Sequence, residues 1–445
     1  IDMNTPDAGT DLPADSIALR PYPSKIFVEI TTRCNLRCGM CVKETRGCGI
    51  IEGDLTGETF AALESALPRT DTLILNGIGE PLLHPHLETF VRRARLLMAE
   101  GSSIGFQSNG MLLDYRRSTA LVEAGLDRIC LSIDAISPET YRRLRKGAEV
   151  HGIERAFAVL AKTKKNNPRS RLSIGVEFVL SRDTMRELQS TLRWAAERGA
   201  EFAIVTHMIS YDASVSSKVV YDQNTDDALD LFREWKDRGN REGVDITRYF
   251  DVAWKYIKSE KERKIVELVG RLHHEAASRG VDLHFRNLVE QDESFRTELG
   301  HIFDEARSVA KETGIDLRLP ALSPRGRKYC EFIESGSTFV SWKGEVHPCY
   351  FLWHGYNCFA SGWRKFVNPK VFGNLSEHGI IEIWNDPEYR SFRQSVLSYN
   401  YPLCSNCNLA PCDYIDSEVF EQDCYINAIP CCDCQWCLGV FQCMQ

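Results

Sequence analysis

The sequence predicts an α/β protein: a partial (β/α)6 TIM-like barrel with a helical insert and a small cysteine-rich C-terminal domain. Three observations carry this. From Lys25 to about Tyr211, short apolar runs alternate with longer helical patterns, as βα units of a parallel sheet require. From about Asp222 to Thr313 the chain turns strongly charged and helical. After Pro324 periodicity gives way to cysteine, glycine and aromatic residues, which fits a domain organised by metal rather than by a large apolar core.

The predicted strands are KIFVEI, DTLILNG, SSIGFQSNG, RICLSIDA, RLSIGVEFVL and EFAIVTHM. Between them ETFAALESAL, HLETFVRRARLLMAEG, YRRSTALVEAG, IERAFAVLAKTKKN and MRELQSTLRWAAERG read as helices, several closed by a C-cap glycine. Six such units place the site on loops at the strand C-termini; the pattern alone leaves a doubly wound sheet open. HEAASRGVDLHFRNL and DEARSVAKETGIDLRLPAL share a helix–glycine–strand outline and are expected to add late strands. The expected division is a polar tail over 1–24, a core barrel over 25–212, a helical insert with barrel completion over 213–325, and the cysteine-rich domain over 326–445. The insert's charges read as solvated faces of barrel-covering helices, and His273–His274 as helix surface.

A net charge of -8 in 445 residues offers no basic excess for a phosphate backbone, so no nucleic-acid partner is expected. No apolar stretch reaches the roughly 18 residues that span a bilayer, and no export signal opens the chain. No membrane partner is expected, and the expected location is cytoplasmic. In that compartment 17 cysteines read as reduced metal ligands rather than disulfides. Four lie between Cys34 and Cys48, one is Cys130, and twelve fall between Cys330 and Cys443.

Directly after the first strand comes ITTRCNLRCGMCVKE, with three and then two residues between Cys34, Cys38 and Cys41. A loop of that spacing turns three sulfurs toward one cube. Three thiolates leave the fourth iron of a [4Fe–4S] cluster open, as a catalytic metal requires. The alternative is a structural zinc knuckle with a fourth ligand such as Cys48, which is otherwise a loop thiol.

CNLRCGMC after a first strand resembles the CxxxCxxC loop of the radical S-adenosylmethionine superfamily, and the resemblance spans the barrel. Gly77, Gly79, Glu80 and Pro81 of NGIGEPLLHP resemble the motif that meets the cofactor's amino group. Ser108, Asn109 and Gly110 resemble the Thr-Asn-Gly turn, and Ser132 and Asp134 the Ser-Leu-Asp pattern near ribose and methionine. Arg145 of LRKG stands where relatives place an arginine facing the cofactor carboxylate, and Glu177 where they place a polar ribose or adenine contact. Met40 departs from the usual aromatic before the third cysteine. The resemblance implies that S-adenosylmethionine chelates the open iron and is reductively cleaved to a 5′-deoxyadenosyl radical, which abstracts a substrate hydrogen. It also implies a ferredoxin- or flavodoxin-type reductant. No catalytic acid or base is assigned.

Cys330, thirteen residues, Gly344, four residues and Cys349 resemble the opening of the SPASM extension, which binds auxiliary [4Fe–4S] clusters. FGNLSEHGIIEIWNDPEYRSFRQ resembles the segment before its cysteine cluster, and the stretch between Cys330 and Cys349 is expected to form a hairpin. The expected ligands are Cys330, Cys349, Cys404, Cys407, Cys412, Cys424, Cys431, Cys434, Cys437 and Cys443, enough for about two auxiliary clusters with their partition open. Cys358 and Cys432 are the expected non-ligands, and Cys130 an apolar core residue.

SPASM relatives mostly modify peptides or proteins, so the resemblance implies a maturase acting on a peptide, a protein or a metalloenzyme cofactor. The terminal CxCxWCxGxxxC run is similar to a subgroup tied to maturation of tungsten- or molybdenum-type oxidoreductases. The roughly 24 residues before the first strand are too few for a leader-binding winged helix, which counts against leader-dependent modification. The alternatives are a radical dehydrogenase or carbon-skeleton enzyme on a small molecule, and an iron–sulfur electron carrier or sensor.

Overall fold

The computed structural model describes residues 16–45, 48–360, 363–402, 417–428, 430–434 and 436–444. Its centre is a sheet in which β1 (Lys25–Val28), β2 (Thr72–Ile74), β3 (Ser103–Ser108), β4 (Arg128–Ser132), β5 (Ser173–Leu180) and β6 (Phe202–His207) lie parallel and in sequence order. That order excludes the doubly wound alternative. Right-handed crossovers between sequential neighbours put every helix on the same face, and the sheet curls toward a barrel. Both faces are covered, so the strands read as apolar runs; β2 to β4 contribute Leu73, Ile104, Phe106, Ile129 and Leu131, each fully buried.

The covering helices are α1 (Gly57–Ala61), α2 (Leu87–Leu97), α3 (Tyr115–Ala124), α4 (Pro138–Leu144), α5 (Val150–Asn166) and α6 (Leu188–Glu197). In α3, Asp114 accepts from Arg117 N at the N-terminus, and Gly125 closes the helix at φ 102°. The first helix is shorter than its apolar pattern suggested. It starts on the Thr56 cap and gives way to turns ahead of Pro68, which disfavours helical backbone at the preceding residue.

Beyond β6 the chain forms α7 (Asp226–Arg241), α8 (Tyr249–Val252), α9 (Glu260–Ser278), α10 (Phe285–Glu290) and α11 (Glu293–Thr313). Helices α7 to α10 bury Leu229, Trp235, Leu268, Leu272 and Phe285 in a core of their own. His273 contributes to it, its ring 5.4 Å from Phe285. Of the two expected late strands only one forms. β7 (Asp316–Arg318) follows α11, which packs on α6, and pairs parallel with β6. In HEAASRGVDLHFRNL, by contrast, Leu283 and Phe285 enter the helical core instead of a sheet.

The C-terminal segment joins the opposite edge of the sheet. After α12 (Glu331–Glu334), β8 (Ser337–Val340) pairs parallel with β1, Lys25 opposite Ser337, and turns into β9 (Val346–His347) as the expected hairpin, with Gly344 at φ 82°. A second hairpin joins β10 (Tyr356–Ala360) and β11 (Trp363–Val367), followed by α13 (Ile380–Asn385) and α14 (Pro387–Ser398). These helices hold the N-terminal segment down. Arg393 donates to Ala18 O and Trp384 O, and Trp384 Nε1 donates to Arg20 O. Residues 16–24, the described part of the expected N-terminal tail, are therefore anchored. Among the described residues, no helix is long and apolar enough to cross a membrane.

Candidate S-adenosylmethionine and iron–sulfur site

The loops at the C-terminal ends of β1 to β5 converge on one cavity of 240 Å³. Cys34, Cys38 and Cys41 wall one side; Gly79, Glu80, Ser108, Asn109, Ser132, Arg145 and Glu177 stand on the others. Residues scattered over more than 140 positions meet because most of them follow or end a strand of the same parallel sheet, while Glu177 lies within β5 and Arg145, beyond α4, is brought in by its ladder with Cys38.

The cysteine loop is fixed by backbone. Cys41 N donates to Cys38 O, and Gly39 N to Leu144 O, both at 2.9 Å. Arg37–Cys38 pairs with Arg145–Lys146 in a short antiparallel ladder. Lys43 Nζ donates to Thr32 O at 2.6 Å and ties the loop's far end to the chain entering it.

Glu80 is buried and clasps the next loop: its carboxylate accepts from Ser108 Oγ and Asn109 N, each at 2.7 Å, and from Leu82 N at 3.1 Å. Burial raises its pKa against those three donors. Asn109 Nδ2 donates to Asn35 Oδ1 at 2.9 Å, linking the loop after β3 to the cysteine loop. Gly79 has no space for a side chain, since a Cβ there would lie 2.3 Å from Thr31 O and 2.6 Å from Arg33 O.

Arg145 faces the cavity with Asp134 behind it. Arg145 Nε donates to Asp134 Oδ2 at 2.6 Å, and Asp134 Oδ1 accepts from Val179 N at 3.0 Å. Burial alone would discharge the guanidinium, but Asp134 and Cys38 outweigh it and raise the Arg145 pKa. Asp134 itself does not line the cavity, so the structure places it as the support of Arg145 rather than as a direct contact. Desolvation at the cavity wall pushes the Glu177 carboxyl up to about 7 against the neighbouring Gln107 and Arg145. The sequence reading passed over Asn76 and Gln107, which also line the cavity and hydrogen-bond each other. Each stands immediately ahead of a motif residue, Asn76 before Gly77 and Gln107 before Ser108, and that adjacency is the signal in the sequence.

The donor set fits an iron–sulfur cluster. Burial raises the thiols of Cys34, Cys38 and Cys41, the last to about 11, so thiolates at this depth need a metal's positive charge beside them. The three wall a shared cavity rather than meet at a point. Among the described residues no group of three or more His, Cys, Asp or Glu is placed to hold a single metal ion.

A second set of cysteines lies under β8 to β10. Cys330, at the start of α12, approaches Cys349, Cys431 and Cys434 closely enough for their charges to interact. Burial raises Cys330, Cys349 (to about 12) and Cys431; Cys434 is raised by the hydrogen bond to Cys437 and by burial. Cys437 Sγ donates to Cys434 O at 3.1 Å. Cys424 is exposed, and Cys443 lies within electrostatic reach of Lys25. Cys404, Cys407 and Cys412 fall outside the described residues. Cys130 is fully buried in β4, Cys432 is fully buried, Cys358 sits in β10, and Cys48 is partly exposed.

A family model described as the radical SAM superfamily matches residues 28–195, and one described as the SPASM iron–sulfur cluster-binding domain matches residues 330–408. The tungsten-containing aldehyde ferredoxin oxidoreductase cofactor-modifying protein of Pyrococcus furiosus is 25% identical over 423 residues, 94% of this chain and 96% of that one. The GTP 3′,8-cyclase of Chlorobaculum tepidum is 33% identical over 143 residues, 31% of this chain and 41% of the cyclase, so the chain spans less than half the cyclase's length. Among solved structures, Streptococcus suis SuiB bound to S-adenosylmethionine is 12% identical with a TM-score of 0.49, covering 84% of this chain and 68% of that one.

Proposed function

Because the chain belongs to the radical S-adenosylmethionine superfamily and carries a SPASM iron–sulfur domain, we propose that its cavity behind Cys34, Cys38 and Cys41 is where S-adenosylmethionine is cleaved, in the service of maturing a metalloenzyme cofactor, or the protein or peptide that carries it. Its cofactors are S-adenosylmethionine and iron–sulfur clusters. When bound, they would supply one-electron reductive chemistry for hydrogen abstraction from a substrate.

The protein's part is to bind, orient and exclude water. Cys34, Cys38 and Cys41 hold the cluster as thiolates. Arg145, kept charged by Asp134, would donate to the cofactor's carboxylate. Glu80 spends three acceptor sites on holding its loop and keeps lone-pair capacity for the cofactor's ammonium. Ser108, Asn109, Ser132 and Glu177 complete the polar wall for the nucleoside. The observation that carries this reading is the meeting of three thiols, a charged arginine and a buried carboxylate on one cavity.

Cys330, Cys349, Cys431 and Cys434 hold one auxiliary cluster in this reading, and Cys404, Cys407, Cys412 and Cys424 are the candidates for a second. A ferredoxin- or flavodoxin-type protein supplies electrons. The maturase reading draws on the relative that matches nearly the whole chain at both ends.

Anaerobic reconstitution followed by iron and sulfide counts, Mössbauer spectra and 5′-deoxyadenosine assay after dithionite tests the chemistry. The Cys34, Cys38, Cys41→Ala triple variant is expected to lose one cluster and all cleavage. Zinc in place of iron, or cleavage that survives the variant, sinks the reading. For the substrate, 5′-deoxyadenosine release is expected to rise when an immature tungsten-type aldehyde oxidoreductase is added. A rise only with a small molecule would favour the dehydrogenase or carbon-skeleton alternative.

A further inference from the structure

Glu29 follows β1 directly and is fully buried. A carboxylate so placed is costly unless partnered. Its partners are Ile78 N, donating to Oε1 at 3.2 Å, and His354 Nε2, 3.1 Å from each carboxylate oxygen. The neighbouring loop makes room for it, since a Cβ on Gly77 would lie 2.4 Å from Glu29 Cγ. The β1–β8 ladder already joins the C-terminal segment to the barrel, so the pair is not needed for that purpose.

The pair stands between two spaces. On one side Gly77 and Ile78 wall the cysteine-loop cavity. On the other, His354 walls a second cavity of 300 Å³ together with Ile50, Trp342, Lys343 and Trp353. The His354 ring lies 4.9 Å from that of Trp353, and its side chain keeps 15% exposure. An ionised carboxylate can only accept hydrogen bonds, so beside one the ring hydrogen belongs on Nε2, and an imidazole in that tautomer keeps its lone pair on Nδ1. Among the described residues no hydrogen bond reaches Nδ1.

We infer that His354, oriented by Glu29, is the proton-accepting group of a substrate cavity walled by Trp342 and Trp353, which takes an apolar or planar group bearing an acidic O–H, N–H or S–H. The X–H bond breaks heterolytically, N–H forms at Nδ1, and the electron pair stays on X, so no oxidant enters this step. The other titratable groups facing the pair are His347 and Tyr350, within electrostatic reach, and Lys343 and Glu345 on the cavity wall. The inference rests on the proposed function only in naming the occupant a substrate; the chemistry of the pair is open to test without it.

The test is diethyl pyrocarbonate labelling of the full, reconstituted chain across neutral pH, with peptide mass spectrometry locating the product and His354→Gln confirming its assignment. His354 is expected to label. Glu29→Gln is expected to slow labelling about tenfold, because an amide can donate to Nε2 and no longer enforces the tautomer. Glu29→Asp, which keeps an acceptor-only group, is expected to label faster than Glu29→Gln. An unlabelled His354 in the wild type, or the reverse order of the two variants, overturns the inference. Failure of the wild type to cleave S-adenosylmethionine would sink the proposed function and leave this measurement standing.

Discussion

Cys38 and Arg145 face each other across a two-residue antiparallel ladder, and Arg145 is held in turn by Asp134 at 2.6 Å. The middle cysteine of the metal-binding loop and the cation offered to the cofactor's carboxylate therefore share one backbone frame. A shift of either loop moves both, which couples cluster placement to cofactor placement.

Arg145→Met is expected to leave the buried Asp134 carboxyl without its cation and held by Val179 N alone, at a cost of about 3–5 kcal/mol. Arg145→Lys keeps the charge without the fork and should lose less stability while still weakening cofactor binding. Thermal unfolding and calorimetric titration with S-adenosylmethionine measure the two effects separately.

Gly79→Ala tests the backbone cradle. The added methyl meets main-chain oxygens of Thr31 and Arg33, which cannot swing aside as a side chain does, so the loop must move. The expected result is a folded protein with normal cluster content and at least tenfold weaker S-adenosylmethionine binding; unchanged affinity would mean that the loop lies away from the cofactor.

Glu177 predicts a pH dependence. Burial lifts its carboxyl to about 7, so the folded protein holds that proton more tightly than the unfolded chain does. The resulting stability is full below the ordinary carboxylate pKa of 4.5, is lost as pH rises through about 7, and amounts to about 3 kcal/mol. Glu177→Gln removes the ionisable group, so its stability relative to wild type should improve from pH 5 to pH 8, as read by denaturant unfolding at both.

Cys41 predicts the behaviour of the cluster-free chain. With its thiol pushed up to about 11, alkylation by iodoacetamide should be slow at pH 8 and accelerate strongly toward pH 10. Mass spectrometry on chelator-treated protein measures it; fast labelling at pH 8 would show that the loop opens when iron leaves.

Arg393 is fully buried between the rings of Trp384 and Tyr389, 3.7 and 4.6 Å from their centroids, and donates to Ala18 O. Arg393→Ala removes cation–π contact and the anchor of the N-terminal segment together. Earlier proteolytic cleavage near Ala18 and a lower Tm are expected, whereas a lower Tm with unchanged cleavage would assign Arg393 to packing alone.

The barrel was legible because a parallel sheet buried on both faces writes each strand as an apolar run between helical patterns, and because the site residues follow those runs at once. Ser108 and Glu80 needed no structure to be found, but their bond to each other did. Asp134 was read as a cofactor contact because sequence does not tell the cavity wall from the layer behind it. Long-range pairing was invisible for the same reason. Nothing near Ser337 announces β1 as its neighbour, and nothing local to Glu29 announces His354. The separate core of α7 to α10 was hidden too, since an amphipathic pattern says that a face is buried without saying against what.

The pairing of β8 with β1 also bears on how this chain comes off the ribosome. The outer edge of β1 stays unpaired until Ser337–Val340 has emerged, about 130 residues after the last of the six central strands, and loop closure over so long a span is slow. During that interval the nascent barrel presents an open edge with free backbone donors and acceptors, the kind of surface that recruits other strands. Truncations ending before Ser337 are thus expected to aggregate, and chaperone dependence in vivo should end with the arrival of that one four-residue strand.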